Sequence, residues 1–524
     1  MRKLTVTAID TSGIQDYIFG SNVLKQNVGA SALVRYATQD WVYEELVALG
    51  ATNIDQNSRF NSRTIESDAL VSELVYAGGG NTVLLFHSPE TAREFTRRLS
   101  RRTLREAPGL QLTICHSEFD WDAEALSQVV KAVLGKVSQK KHDYVASTPV
   151  LGLSVTAACQ YSGLPAVDKN QDGKRVSAAI QAKETAFNPA HDELTRSLPL
   201  NGYEIPRDFD ELGRARGESS YIGVIHTDGN GMGERVRAIA DQYPRPEDNR
   251  AYIRAIRAFS ESVKQAAQGA LSATYQQLIR SIDQEDKIGG VVQVRNHKLP
   301  LRPIVMGGDD VTFVCEGRLA LTLAEFYLRQ VTACPLADGK PLSARAGIAV
   351  VKSHFPFARA YALAEELTGS AKEHLNERKA PPYNEEGLSA IDWHFAVSGT
   401  VLDLRHIRER EYTVPSGQLI MRPLRLDSSI SSDWRSWETF TDIIKEFNSD
   451  KWCERRNKMK ALRDALREGE EAVQQFLQAY TLPDLPTIPG NPDSAKTGWS
   501  GKRCTCFDAI EALEFFVPLG GGQQ

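Results

Sequence analysis

The sequence predicts an α+β protein built from two copies of a ferredoxin-like β-α-β-β-α-β unit. Three observations support this fold class. Two strand-like runs each end in an aspartate, at Asp10 and Asp228. Each run is followed by a helical stretch and then by two apolar runs around a glycine-rich turn, at 78–81 and 307–310. A further helix and strand follow each turn, which completes the split β-α-β order.

The first unit is expected over residues 1–140. It opens on LTVTAID (Leu4–Asp10), a β-rich run, and continues into GASALVRYATQDWVYEELVAL, where apolar residues recur at helical spacing. The stretch LVSELVYAGGGNTVLLF (70–86) is typical of a hairpin centred on a glycine turn. A helix over PETAREFTRRLSRRTLREA and a strand over LQLTICHSEF complete the unit.

The second unit is expected over residues 220–400. Its strand YIGVIHTD (221–228) precedes a long helical stretch, and RPIVMGGDDVTFVC (302–315) predicts the second hairpin. A helix over LALTLAEFYLRQV, a strand over LSARAGIAVV and a helix over PFARAYALAEELTGSAKE follow.

Two further regions complete the chain. A mixed, polar connector is expected over 141–219. A helical C-terminal domain is expected over 401–524, with WETFTDIIKEFN and KMKALRDALREGEEAVQQFLQAYTL as its main helices and the Pro/Gly-rich LPDLPTIPGNPDSAKTGWSGK as a loop.

Composition excludes several classes of protein. The formal net charge of −5 gives no overall basic excess of the kind that marks nucleic-acid binding, and the local cluster Arg93–Arg105 is interpreted as a solvated helix face. Seven scattered cysteines do not form a disulfide framework. No run of about 18 apolar residues predicts a membrane span. A cytoplasmic protein with no membrane segment is therefore expected.

The second unit carries the candidate chemistry. Its first strand ends at Asp228, and Asp309 and Asp310 lie in the turn of the hairpin that packs beside that strand in a ferredoxin-like sheet. Three carboxylates that converge without basic neighbours would repel each other, and divalent cations would remove that repulsion. Mg²⁺ or Mn²⁺ is therefore expected, with a two-metal site formed by Asp228, Asp309 and Asp310.

Residues around this turn are expected to bind a nucleotide. The loop DGNGMGERV after Asp228 opens onto a helix, whose first N–H groups suit a triphosphate. Lys372, at the end of a later helix, is either a phosphate contact or an ordinary exposed lysine. The predicted nucleotide-binding residues are Gly307, Gly308, Gly229, Asn230, Gly231, Gly233 and Lys372.

The first unit lacks these carboxylates. Asp10 corresponds to Asp228, but the turn reads Gly78-Gly79-Gly80-Asn81, so the same turn is expected without metal-binding groups. The simplest interpretation is one catalytic and one degenerate unit.

Several motifs, in the same order, resemble the large palm-domain subunit of type III CRISPR effector complexes, the polymerase/cyclase family. They are SGIQDYIFGS, LVYAGGGNTVLLF, SGLPAV (162–167), DGNGMG, GGDDV, SARAGIAVVKSHFPFARAYALAEELTGSAK and AIDWHFAV (390–397), which span roughly residues 5–400. The resemblance implies that both units are palm domains. It implies that the Gly-Gly-Asp-Asp palm converts ATP into cyclic oligoadenylate messengers: a 3′- or 2′-hydroxyl attacks an α-phosphate, pyrophosphate leaves, and a last intramolecular attack closes the ring.

This sequence departs from the family in three respects. The first palm begins close to Met1, so an N-terminal His-Asp nuclease domain is expected to be absent, and His142-Asp143 and His191-Asp192 are interpreted as surface pairs. Cys159 alone precedes SGLPAV and Cys504-Thr505-Cys506 has no second cysteine pair, so zinc is not expected. Asn230 stands where the family commonly has a second aspartate, and Asn is a weaker, neutral ligand.

Three alternatives remain open from the sequence. The chain could be a scaffold subunit that binds guide RNA and other effector subunits with a weak or silent cyclase. It could be a diguanylate-cyclase-like enzyme, which the doubled palm argues against. In the third alternative, the chain is a two-domain α+β protein whose Gly-Gly-Asp-Asp is only a turn, since Gly and Asp are common turn residues. The expected partners are ATP and either the effector subunits or a downstream effector that cyclic nucleotides activate, and a homo-oligomer stays open.

Overall fold

Both halves of the chain contain the predicted four-stranded antiparallel sheet. The structure is a computed structural model that describes residues 2–143, 155–212, 220–380, 387–396, 403–426 and 433–520. In the first palm the strands lie in the order β2-β3-β1-β4. The strands are β1 (Lys3–Ser12), β2 (Ser72–Gly78), β3 (Asn81–Phe86) and β4 (Gln111–Asp120). This is the ferredoxin-like order, so the predicted fold of this half is confirmed.

Helices fill the connections of the first palm. They are α1 (Ile14–Phe19), α2 (Leu24–Arg35), a π-helical turn (Tyr36–Asp40), α3 (Trp41–Leu49) and α4 (Pro89–Glu106). Helix α4 buries Phe95 and Leu99 and exposes most of its arginines, and Ser88 accepts a hydrogen bond from the Thr91 backbone N–H as its N-cap.

The connector is partly helical. Helix α5 (Leu126–Asp143) follows β4 and spans the predicted limit at residue 140. Beyond it, a two-residue ladder pairs Asp168–Lys169 with Arg175–Val176, and α6 (Ala178–Ser197) packs against α2. His191 is buried on α6, and its Nδ1 accepts a hydrogen bond from Arg302 Nη1 at 2.6 Å. The expectation that His191 is a surface residue is therefore wrong, because α6 turns this side chain inward.

The second palm repeats the topology and extends it. Its strands are β5 (Tyr221–Gly229), β6 (Leu301–Gly307), β7 (Asp310–Glu316) and β8 (Ala344–Lys352), in the order β6-β7-β5-β8. Its helices are α7 (Met232–Asp241), α8 (Asn249–Arg280), α9 (Ala320–Thr332) and α10 (Phe357–Lys379). Strand β9 (Ala390–Ala396) pairs parallel to β8, and α10 provides the crossover that parallel pairing requires.

The two hairpins share a detail that the sequence alone did not reveal. In each, the register shifts by one residue at Val75 and at Ile304, three positions before the glycine that ends the strand. A β-bulge bends a strand at a defined place. Its recurrence at equivalent positions supports the internal repeat independently of the glycine motif.

The C-terminal region combines helices with a small sheet. The helices are α11 (Leu404–Glu411), α12 (Trp437–Phe447), α13 (Arg456–Glu468), α14 (Glu470–Ala479), α15 (Ser494–Thr497) and α16 (Phe507–Ala512). Two-residue strands at Thr413–Val414, Gly417–Gln418, Arg503–Cys504 and Trp499–Ser500 form a four-stranded ladder. The expectation of helices alone was incomplete, because strands this short carry no period-two pattern.

Two of the predicted domain limits, 219 and 400, fall outside the described residues. The two palms share an apolar cluster that includes Ile9 and Phe86 from the first and Val224 and Ala349 from the second. None of the described helices is long and apolar enough to cross a membrane.

Candidate active site

The turn Gly307-Gly308-Asp309-Asp310 joins β6 to β7. Gly307 and Asp310 pair across the two strands, so Gly308 and Asp309 are the two central residues. Gly308 has a φ of 88°, whereas Asp309 has no positive φ. A two-residue hairpin with glycine at its first central position follows the type II′ pattern. The second central position therefore accepts an aspartate without strain.

The corresponding turn of the first palm has a different backbone. Both central residues have positive φ, 59° at Gly79 and 79° at Gly80, which follows the type I′ pattern. A methyl group on Gly80 would lie 2.9 Å from Ile14 Cδ1 and from Thr11 Oγ1. The expectation that the two palms build the same turn is wrong. The first palm's turn could not take an aspartate at position 80 without rearrangement.

Asp309 and Asp310 lie close to Asp228 and resist ionisation. A methyl group on Gly229 would lie 2.8 Å from Asp309 Cβ, so the turn packs directly on the end of β5. Burial, followed by the negative charge of Asp228, raises the pKa of Asp309 and of Asp310 to about 7. The structure thus brings together the three carboxylates that were predicted to converge.

A basic residue also lies in this cluster, contrary to the sequence interpretation. Arg345, on β8, contacts Asp228 Oδ2 through Nη2 and donates through Nη1 to Asn230 Oδ1 at 2.8 Å and to the Gly229 carbonyl at 3.2 Å. Its side chain is 7% exposed. The register places Arg345 directly opposite Asp228. The signal was present as a single arginine in the apolar strand LSARAGIAVV.

Asn230 is held by protein groups at both ends of its amide. Its Oδ1 accepts from Arg345, its Nδ2 donates to the Leu388 carbonyl at 3.0 Å, and its backbone N–H donates to the Ser343 carbonyl at 2.9 Å. These bonds connect the loop after β5 to β8 and to the segment before β9. Its prediction as a nucleotide contact stays a prediction.

The other predicted contacts lie at the start of α7 and on α10. Gly231 has a φ of 67° and forms the N-cap of α7, and Gly233 lies in the first turn of that helix with open space around it. Lys372 is exposed on α10, one turn beyond Thr368, whose hydroxyl donates to the His226 carbonyl at 3.1 Å. That bond places α10 alongside β5, with Lys372 beyond it.

His226, which the sequence interpretation missed, lies beside Asp310. Its Nδ1 lies 3.4 Å from Asp310 Oδ1 and 3.1 Å from Thr312 Oγ1. Burial lowers the pKa of His226, so the imidazole is neutral at neutral pH. His226 precedes Asp228 by two residues, and side chains at i and i+2 of a strand share a face. That spacing was the signal available in the sequence.

The first palm faces this turn. A methyl group on Gly79 would lie 3.4 Å from the Gly307 carbonyl, so the two glycine turns approach each other. Gln15, on α1, donates to Glu365 Oε1 on α10 at 2.7 Å, and Glu365 adds to the negative charge that Asp310 experiences. The Phe19 and Tyr361 rings stack with centroids 3.6 Å apart. The first palm thus borders the carboxylate turn.

The donor set of the turn fits a divalent cation. Asp310 Oδ1 is buried and has no hydrogen-bond partner within the described part of the chain, while the side chain is 47% exposed. Carboxylate oxygens are the donors that Mg²⁺ and Mn²⁺ prefer. Within the described residues, however, no three His, Cys, Asp or Glu side chains form a preformed metal cluster. Asp309 and Asp310 are the available donors, since Arg345 engages Asp228.

The affinity of this turn for a divalent cation should increase with pH between about 6 and 8. Both turn carboxyls have a pKa of about 7 and must lose their protons to bind a cation. Each proton displaced reduces the affinity by up to about tenfold per pH unit below that pKa. Calorimetric titration with Mn²⁺ at pH 6, 7 and 8 measures this change, and an affinity that is constant over the range would contradict the pKa assignment.

The same carboxyls should make the cation-free protein less stable as pH rises. Their pKa in the folded state lies above the ordinary value near 3.8, so the folded chain holds these protons more tightly than the unfolded chain. The contribution of the pair to the free energy of unfolding is therefore present below about pH 4 and is lost as pH rises through about 7.

Comparison with known proteins confirms the family resemblance for the second palm. The family model described as Cas10/Cmr2, second palm domain, matches residues 221–380. No curated protein sequence matches the chain.

Solved structures match nearly the whole chain in fold. A Csm1–Csm4 cassette in complex with cA4 aligns at 14% identity and a TM-score of 0.53, covering 98% of this chain and 69% of that chain. A cassette in complex with AMPPNP aligns at 16% identity and a TM-score of 0.54, covering 98% and 70%. A Csm1–Csm4 subcomplex of the type III-A CRISPR-Csm interference complex aligns at 14% and 0.52, covering 98% and 69%. These matches confirm the predicted fold class.

Proposed function

Because residues 221–380 form a second palm domain of the Cas10/Cmr2 type, we propose that this chain is a nucleotidyltransferase that joins ATP molecules into cyclic oligoadenylates. One observation carries the proposal: Asp309 and Asp310 occupy a type II′ turn against the end of β5, beside Asp228. An ordinary hairpin turn has no need of three carboxylates placed so that burial, and then the charge of Asp228, raise the pKa of two of them to about 7.

The residues of the chain would position two nucleotides for phosphoryl transfer. The glycine turns at Gly307-Gly308 and Gly79-Gly80 leave the backbone open to close approach by a ligand. The first N–H groups of α7 have no partner within the helix and suit phosphate oxygens. Lys372 would add a positive charge from α10. Positioning and charge neutralisation account for most catalysis of this type.

Asp309 and Asp310 would hold Mg²⁺ or Mn²⁺, with waters and phosphate oxygens completing the coordination. When bound, the cation neutralises the charge that develops on the transferring phosphoryl group. In each joining step, a ribose 3′- or 2′-hydroxyl oxygen forms a bond to the α-phosphorus of a second ATP. The bond from that phosphorus to the oxygen bridging the α- and β-phosphates breaks, pyrophosphate leaves, and the hydroxyl proton is released. The last step is the same reaction within one oligomer.

The biological setting belongs to the same proposal. The matching structures contain Csm1 together with Csm4, and some contain cyclic or linear adenylates or an ATP analogue. By analogy, this chain would act in cytoplasmic antiviral defence, either with guide RNA and other effector subunits or through an effector that its product activates.

A second candidate is a scaffold subunit with a weak or silent cyclase. Two residues favour it. Arg345 contacts one oxygen of Asp228, and Asn230 stands where the resemblance would place a further carboxylate. This alternative predicts binding of effector subunits or guide RNA without nucleotide joining.

The purified chain incubated with ATP and Mg²⁺ or Mn²⁺ should release pyrophosphate and form cyclic oligoadenylates. Mass spectrometry of the products, with the other nucleotides in parallel, identifies base, ring size and linkage. Reactions with and without guide and target RNA distinguish a constitutive enzyme from an effector subunit. If no product forms under any of these conditions, the enzyme proposal is wrong and the scaffold candidate takes its place.

A further inference from the structure

Arg345 is fixed in the carboxylate cluster by the sheet itself. In the antiparallel pair of β8 and β5, Arg345 stands directly opposite Asp228, and Ala344 stands opposite Gly229. Directly opposed residues project their side chains to the same face of a sheet. The contact between the guanidinium and Asp228 is therefore a consequence of register, whatever the side chains of the turn do.

The guanidinium uses donors that match this position. Arginine presents its N–H groups in a planar fork. One Nη reaches Asp228 Oδ2, and the other reaches both the Asn230 amide oxygen and the Gly229 carbonyl. Arg345 is nearly fully buried. Three acceptors from consecutive residues, Asp228 to Asn230, thus converge on one buried guanidinium.

Asn230 fits this arrangement better than an aspartate would. Its amide oxygen accepts from Arg345 and its amide nitrogen donates to the Leu388 carbonyl. An aspartate could not make the second bond, since an ionised carboxylate only accepts hydrogen bonds. Asn230 and Arg345 therefore form a complementary pair, in which the amide accepts from the guanidinium and still donates to the backbone.

Charge balance supports the same conclusion. Asp228, Asp309 and Asp310 carry three negative charges when ionised, and Arg345 neutralises one of them. A single divalent cation would neutralise the two charges that remain on these three aspartates, and of the described acidic groups that act on the turn only the nearby Glu365 would then be left without a counter-charge. A second cation held by the protein would need Asp228, whose Oδ2 contacts the guanidinium. No preformed cluster of three metal-ligating side chains occurs in the described ranges.

We propose that Arg345 takes the place of one of the two divalent cations, so that the protein itself binds one cation, at Asp309 and Asp310. The inference rests on the proposed function, and it replaces the two-metal expectation with one metal and one fixed guanidinium. Any further cation would arrive on the phosphates of the nucleotide. Arg345 is in this sense a positioning residue, because it orients Asp228 and Asn230.

Stoichiometry of Mn²⁺ binding without nucleotide tests the inference. Electron paramagnetic resonance of free Mn²⁺, with calorimetry in parallel, should show one tightly bound ion per wild-type chain. The double variant Arg345→Ser/Asn230→Asp frees Asp228 and adds a carboxylate, and it should bind two. Arg345→Lys keeps the charge and loses the fork, and it should still bind one.

A matched control is Arg235→Ser. Arg235 forms a similarly buried ion pair with Asp338, outside the three carboxylates, so its loss should leave the stoichiometry at one. Circular dichroism checks the fold of each variant. The wild-type measurement stands on its own if the double variant does not fold.

The outcomes separate this inference from the proposed function. Two ions on the wild-type chain, or one ion on a folded Arg345→Ser/Asn230→Asp variant, would overturn the role of Arg345 and leave the cyclase proposal intact. Absence of any Mn²⁺ binding would overturn both. One ion that persists in Asp309→Asn/Asp310→Asn would show that the turn is not the cation site.

Discussion

The double variant Asp309→Asn/Asp310→Asn should lose nucleotide joining by about 10³-fold or more and yet unfold less readily than the wild-type chain in the absence of divalent cations. The loss follows because these two carboxylates are the proposed cation donors. Charge stabilisation by a bound cation is worth several kcal/mol, and about 4 kcal/mol corresponds to about 10³-fold in rate.

The gain in stability has a separate physical cause. Burial and the charge of Asp228 raise the pKa of both turn aspartates, which means that their ionised forms are unfavourable in the folded chain near neutral pH. Asparagine has nearly the same shape and no charge, so the repulsion is removed. Stability and activity therefore change in opposite directions, as expected for a strained functional site.

Product formation by mass spectrometry and thermal unfolding with EDTA or with Mn²⁺ measure the two effects. Mn²⁺ should stabilise the wild-type chain and not the variant. The control is Asp10→Asn in the first palm, at the position that corresponds to Asp228, where the carboxylate pairs with Lys141 at 2.5 Å. It should give no gain in stability. A double variant that joins nucleotides at the wild-type rate would contradict the assignment of the turn.

The fold was largely predictable because its signals are local. Strand-like runs that end in an aspartate and hairpins marked by paired glycines occur twice in the same order, and the sheets of both palms confirm them. The bulges at Val75 and Ile304 were not predictable, because they are defined by pairing with another strand. The two-residue strands of the C-terminal region were too short to leave a pattern.

The three carboxylates of the site were predicted from the sequence, whereas the arginine beside them was not. Asp228, Asp309 and Asp310 are neighbours because the topology places β5 beside β7, and topology follows from the order of elements. Arg345 is 117 residues from Asp228 in sequence, and only the register of β8 against β5 brings the two together. Turn type was missed for a similar reason, since Gly-Gly-Gly-Asn and Gly-Gly-Asp-Asp differ in backbone torsions that composition alone does not reveal.

Gly229→Ala should reduce nucleotide joining by about 10- to 100-fold while the chain stays folded. The new methyl group would lie 2.8 Å from Asp309 Cβ and 3.1 Å from both Asp309 Oδ2 and Met232 Cγ. Contact at 2.8 Å between carbons forces a shift, and the Cβ of a turn residue moves only with its backbone. A displacement of about 1 Å in a catalytic site can cost about 10²-fold in rate.

The result must be distinguished from a general loss of stability, since overpacking usually costs about 1–3 kcal/mol. Gly269→Ala, in α8, is the matched control, because no atom beyond the adjacent residues and the helix backbone would lie within 4 Å of the added methyl group. It should keep full activity with equal or higher stability. Mn²⁺ affinity provides a second measurement, and it should fall in Gly229→Ala at temperatures where the variant is fully folded. If Gly229→Ala joins nucleotides at the wild-type rate, then Asp309 tolerates displacement, and its contact with Gly229 is not what aligns the turn for the reaction.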